Sequence, residues 1–176
     1  AGGTRRKSAL MITALREART ALTCLPWRVV AATGLWTGRG APVQFVIERA
    51  DWAIRWVGEN IRDRIETMAP GTVQTTVEPQ RIARRVVHFG SQYMWLAWGR
   101  HMSSSNRYVT SFFHGKPEDG PVVERHIDAF LSSVPRLAMI VTAAGLVERR
   151  LLDWGVPREV LLRIPIGVNT GVFVPP

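Results

Sequence analysis

The 176-residue sequence predicts an α/β domain, a doubly wound parallel sheet with helices on both faces, preceded by a loosely attached basic helical tail. Three observations carry that expectation. From Ala41 onward, short apolar runs alternate with stretches of helical periodicity, the pattern of right-handed βαβ units. The runs are apolar throughout rather than at every second residue, as strands buried on both faces are. Turn and cap signals such as Pro70-Gly71 and Asp119-Gly120-Pro121 separate the two kinds of segment.

Residues 1–40 differ from the rest and are expected to form an extension, partly helical or poorly ordered. Met11, Leu15, Ala18 and Leu22 share one helical face, with Thr13, Arg16, Glu17 and Thr20 opposite. Pro26 is expected to end that helix, and "ATGLWTGRGAP" to follow as a loop. The domain proper is expected at 41–168. "PVQFVIE" (42–48) reads as the first strand. The stripe Ile54, Val57, Ile61, Ile65 and Met68 marks a helix that stops at Pro70-Gly71. Strands are expected at 72–77, 84–91, 107–113, 137–143 and 160–166. Between them lie a helix from Gln92 to Met102, one with the buried stripe Val123, Ile127, Phe130 and Val134, and one lined by Val147, Leu151 and Trp154. In that last helix Glu148, Arg149, Arg150 and Asp153 are expected to face water.

The formal net charge of +9 invites nucleic acid, but its distribution argues against it. Residues 1–40 hold seven basic groups and one acidic group, whereas residues 41–176 hold 16 basic and 13 acidic. Arginines of the body alternate with carboxylates, as in "GENIRDRIE", the mark of a solvated face. No nucleic-acid partner is therefore expected. A basic amphipathic helix within residues 8–38 suits peripheral contact with a membrane. No apolar run reaches spanning length, and the lone Cys24 forms no internal disulfide, so a cytoplasmic location is expected, with the inner face of the membrane as an extension of it.

Ligands of such sheets bind beyond the carboxyl ends of the strands. That rule selects Asp51 and Trp52 after the first strand, Gly90 and Ser91 after the third, Thr142 at the fifth, and Gly167 and Asn169 after the sixth. The fourth strand is followed by the densest set, "HGKPEDG". His114 can exchange hydrogen bonds with hydroxyls, and Gly115 admits a close backbone approach. Lys116 suits an anion, and Glu118 completes the loop. The plainer alternative is a polar loop whose Asp119 caps a helix. His88 lies within an apolar strand and reads as a core histidine, while His101 and His126 read as surface positions. Trp52, Trp56, Trp95 and Trp98 fall at helical spacings that favour core packing. Four histidines and one cysteine without ligand spacing predict no metal site, and no phosphate loop, GxGxxG, HExxH or GxSxG occurs.

"VERRLLDWGVPREVLLRIPIGVNTGVFVPP" (147–176) resembles the end of the acceptor domain of glycosyltransferase family 4 (group 1), the retaining enzymes of GT-B type. "YVTSFFHG" (108–115) and "FVIERADWAIRWVGENI" (45–61) are also similar to that family. The resemblance covers about residues 41–176. It implies two facing Rossmann-like halves, the first for the acceptor and the second for a nucleotide-sugar donor, with no metal and the nucleotide-sugar as co-substrate rather than cofactor. It makes His114 the catalytic imidazole, Gly115 its neighbour, and Gly167 and Asn169 the hinge. Asn169 stands where the family commonly has Asp. Residues 169–176 then read as the start of a linker to a donor domain. The family's glutamate pair and Arg–Lys pair, which belong to that half, have no counterpart in the chain. The expected function is the acceptor-binding half of a hexosyl/glycosyltransferase, inactive as this fragment. The acceptor would be a glycan, a lipid-linked sugar or a small polyol. The alternative is a non-catalytic Rossmann-like module that binds a sugar or a nucleotide.

Overall fold

The computed structural model describes residues 2–34, 40–51, 53–113, 119–165 and 167. Eleven principal elements run in the order α1 (Gly2–Ala32), β1 (Val43–Val46), α2 (Ala53–Met68), β2 (Val73–Thr76), β3 (Val86–Phe89), α3 (Gln92–Trp98), β4 (Arg107–Ser111), α4 (Pro121–Ser133), β5 (Leu137–Thr142), α5 (Gly145–Asp153) and β6 (Leu161–Arg163). The strands form one six-stranded sheet in the order β2-β1-β3-β4-β5-β6, every neighbouring pair parallel. The α/β Rossmann-like architecture read from the sequence is thus present.

From β1 the chain steps one way to β2 and then the other way through β3 to β6. Right-handed crossovers send helices of opposite steps to opposite faces of a sheet. Side-chain packing follows that division. Met94, Trp95, Phe130 and Leu151 of α3, α4 and α5 meet Val46, Val87, Phe89, Tyr108 and Ile140 in the main core. On the other face a smaller cluster of Phe45, Ile47 and Val73 packs with Ile65 of α2. Full burial of side chains such as Phe130, Leu151 and Ile140, all at 0% exposure, stabilises by about 1.5–3 kcal/mol each.

Trp95 centres the main core. Its indole N–H donates to Ser133 Oγ at 2.7 Å, joining α3 to α4, and its ring packs edge-on to Phe89. Gly99 begins a 3-10 turn directly after α3, where a Cβ would stand 1.8 Å from Cε3 of that ring. The stripe on α4 is seated as its periodicity predicts, with Pro121 in the first turn and Ile127, Phe130 and Val134 buried.

Three expectations are corrected. Pro26 does not end α1; the helix runs through it and stops before Gly34, whose φ is 76°. Pro26 is exposed, so the hydrogen bond it removes lies on a side where water can satisfy the freed carbonyl. Glu148 does not face water. It is 9% exposed and bridges Arg158 and Arg163, the latter at 3.5 Å. Arg158 and Arg163 follow α5 and supply the pairing that a buried carboxylate needs. The sixth strand is short: Val160 lies in a 3-10 turn and pairing covers only Leu161–Arg163, although Ile164 N–H still reaches Thr142 O at 2.9 Å. Pro165 has no N–H with which to continue the ladder.

The apolar stripe expected on α1 faces outward, with Met11 and Leu15 each 62% exposed and Leu22 69%. The opposite side carries Cys24 and Ala31, 0% and 3% exposed, and Cys24 belongs to the main core. Burial raises the Cys24 thiol to about 11. Among the described residues no helix is long and apolar enough to cross a membrane.

One irregularity interrupts the sheet. Tyr108 pairs with Leu137 but Val109 with Met139, so Ala138 is an extra residue in β5. A bulge of this kind adds one residue on one strand without breaking the pairing beyond it.

Replacing Gly99 by Ala forces a methyl group into the Trp95 ring and is expected to cost about 2 kcal/mol. Thermal unfolding should register a fall in Tm of about 4–8 °C for a chain of this size. An unchanged Tm would show that the ring has room to move.

Candidate functional site

A parallel sheet needs cover on both faces, and α2 alone covers the β1–β2 side of its face. The consequence is a groove of about 930 Å³ between α2 and the segment after β6. Its floor is the sheet itself: Phe45 of β1, His88 of β3, Ser111 of β4 and Val141 of β5. Val57, Asn60, Ile61 and Arg64 of α2 form one wall, and Ile164, Pro165 and Gly167 stand opposite. Phe113 and Ala143 line it at strand ends. Ile61 and Ile164, 37% and 50% exposed, mark where the groove opens to water.

The polar centre of the floor is a pair. His88 Nε2 lies 3.0 Å from Ser111 Oγ, and the Phe45 ring packs 4.5 Å from the imidazole, centroid to centroid. Burial lowers the His88 pKa from 6.5 to about 4, so the ring is neutral near pH 7. A neutral imidazole and a hydroxyl bonded to each other still offer lone pairs and one free N–H or O–H, according to the tautomer, to a ligand. The pair is poorly suited to nucleophilic catalysis. A base with a pKa near 4 accepts a serine proton weakly, and among the described residues no carboxylate bonds the other ring nitrogen. It is equipped to bind neutral hydroxyls.

The residues chosen from the sequence separate into groups. Gly167 lines the groove. Ser91 is buried and caps α3, its Oγ accepting from Met94 N–H at 3.4 Å. Gly90 sits where a Cβ would meet Ile54 at 2.7 Å and the Val46 carbonyl at 3.1 Å, so it holds α2, β1 and α3 close. Asp51 accepts the Trp56 indole N–H at 2.6 Å at the entry to α2, on the exposed surface. Thr142 is fully buried and does not line the groove, its Oγ1 without a hydrogen-bond partner among the described residues. Trp52, His114, Gly115, Lys116, Glu118 and Asn169 lie outside the described residues. Among the described residues no three His, Cys, Asp or Glu side chains converge as metal ligands.

The sequence reading set His88 aside as a core residue and passed over Ser111 and Asn60. The usable signal was parity. Register pairs Phe45 with His88, and β4 pairs Thr110 with Phe89, which puts Ser111 on the same face as His88. Of the other tryptophans, Trp95 is buried as expected and Trp56 is 59% exposed. His126 and His101 are half-buried; Tyr93 stacks on His126 at 4.2 Å.

No protein-family model, curated protein or solved structure matches the chain.

The folded-state pKa of His88 lies below its unfolded value, so the unfolded chain takes up the proton first. The stability contributed by the neutral ring is complete above pH 6.5 and is lost as pH falls toward 4. Chemical denaturation at pH 7 and at pH 4.5 should show wild type losing about 2 kcal/mol more than His88→Gln. Equal losses in the two proteins would mean that the ring is solvated.

Proposed function

We propose that the chain is the acceptor-binding domain of a retaining glycosyltransferase, which moves a sugar from a nucleotide-sugar donor to a hydroxyl acceptor. The observation that carries this assignment is the composition of the groove. Its floor offers an uncharged His88–Ser111 pair, and Phe45, Val57, Phe113 and Val141 supply apolar surface around it. Sugars and cyclic polyols present C–H faces beside rings of hydroxyls, and mixed walls of this kind match them. Asn60, Asp63 and Arg64 on α2 add further polar groups at the wall. A diphosphate would ask for a cationic cradle in the floor, and the floor is neutral. The reaction class comes from the resemblance of residues 108–115 and 147–176 to family 4 enzymes.

In this scheme the groove holds the acceptor, and a donor-binding domain joined after the linker holds the nucleotide-sugar. Transfer gains from fixing the attacking hydroxyl against the donor and from charge stabilisation at the leaving diphosphate. The chain's share is the first of these. His114, at the end of the fourth strand in sequence, is assigned to the reacting centre on the resemblance alone. No metal or bound cofactor enters the scheme.

Saturation-transfer NMR on the 176-residue chain with a panel of methyl glycosides and cyclic polyols tests the groove. At least one member should bind, and His88→Phe with Ser111→Val should abolish its signal. UDP- and GDP-sugars should give none. Failure of every sugar, or tight nucleotide-sugar binding with transfer by this chain alone, refutes the assignment. With the donor domain attached, His114→Ala should lower turnover at least about tenfold without changing Tm. Acceptor binding with no transfer by the joined protein would favour the non-catalytic module instead.

A further inference from the structure

We propose that α1 docks side-on to an anionic lipid surface through an apolar stripe that the body of the protein holds outward. The stripe comprises Met11, Leu15, Leu22, Leu25 and Val29, with Ala18 among them, at alternating spacings of four and three residues. Such spacing keeps all six on one helical face. The five large side chains are 62%, 62%, 69%, 51% and 55% exposed. Contiguous apolar exposure on this scale marks an interaction surface rather than ordinary scatter.

The helix cannot turn the stripe inward, because its other face is occupied. Cys24 and Ala31 are buried, the Arg81 guanidinium lies 5.0 Å over the Trp27 ring, and Glu17 pairs with Arg100 at 2.5 Å. Charge then selects the counter-surface. Arg19 and Arg28 are exposed on α1 and flank the stripe, about a quarter turn to either side of it. The helix has a single carboxylate, Glu17, and that one is engaged by the body. The neighbouring surface adds Arg81, Arg84 and Arg100.

A second copy meeting stripe to stripe would set these arginines against their equivalents with no free carboxylate between them. Nucleic acid would satisfy the charge but offers no apolar bed for Leu15 and Leu22. The interface of an anionic bilayer supplies acyl chains for the stripe and headgroups for the arginines. Arg16, Glu17 and Arg19 interrupt the apolar sequence, and no described helix is apolar enough to cross, so α1 lies along the surface.

Flotation of the 176-residue chain with vesicles tests this at physiological salt. Vesicles of phosphatidylcholine containing one third phosphatidylglycerol should capture it at least about tenfold better than phosphatidylcholine alone, and high salt should weaken capture. Leu15→Asp with Leu22→Asp alters two exposed positions, so Tm should hold while capture falls at least about tenfold. Should that variant unfold, Arg19→Gln with Arg28→Gln decides the matter by losing the preference for anionic vesicles. Light scattering gives the opposing outcome: a dimer that the leucine substitutions dissolve, with no vesicle capture, overturns the proposal. So does equal capture of wild type and either folded variant.

Discussion

Crossover handedness distributes cover unequally over this sheet. A parallel sheet must be shielded on two sides, yet one step leftward and four rightward, three of them through a helix, leave α2 alone against α3, α4 and α5. The crowded side becomes the main core, anchored where the Trp95 indole reaches Ser133. The thinly covered side becomes the groove. Ile61 is exposed because its helix faces open space where a fully covered sheet would carry another layer. His88 is enclosed enough to stay neutral and still borders that space. Core and groove are two results of one topological choice.

Arginine fastens the periphery. Arg136 lies 5.7 Å over the Trp95 ring and 5.8 Å over Tyr108, closing the end of the core. Arg158 and Arg163 neutralise Glu148, and Arg81 covers Trp27. A planar guanidinium can stack on rings and pair with carboxylates, which an ammonium does less well. Part of the net charge of +9 is therefore committed to internal contacts, and much of what remains clusters around α1.

Element type and order were readable because short runs rich in apolar and β-branched residues, such as LAMIVT of β5, alternate with helices that carry a stripe at helical spacing. Pro121 and Gly155 marked helix ends by backbone geometry that few alternatives satisfy. What escaped depended on partners distant in sequence. Glu148 looks like a surface carboxylate until Arg158 and Arg163 fold back on it. Pro26 breaks a helix only where the lost hydrogen bond is unaffordable, and exposure is a tertiary property. For the groove, Gly167 was found by the strand-end rule, whereas His88 and Ser111 needed register between strands, which composition does not encode.

The bulge in β5 gives that strand an unusual relation to its own length. Leu137 and Ile140 both point into the main core although they are three residues apart, an odd interval that a regular strand would split between faces. Ala138 absorbs the difference. Losing Ala138 would therefore bring Leu137 and Ile140 to the regular same-face interval and leave both in the core, beside Tyr108 and Thr110 as before. In a strand without a bulge the same loss would turn every later side chain to the opposite face. β5 thus carries a residue it can lose without exchanging the two sides of the molecule.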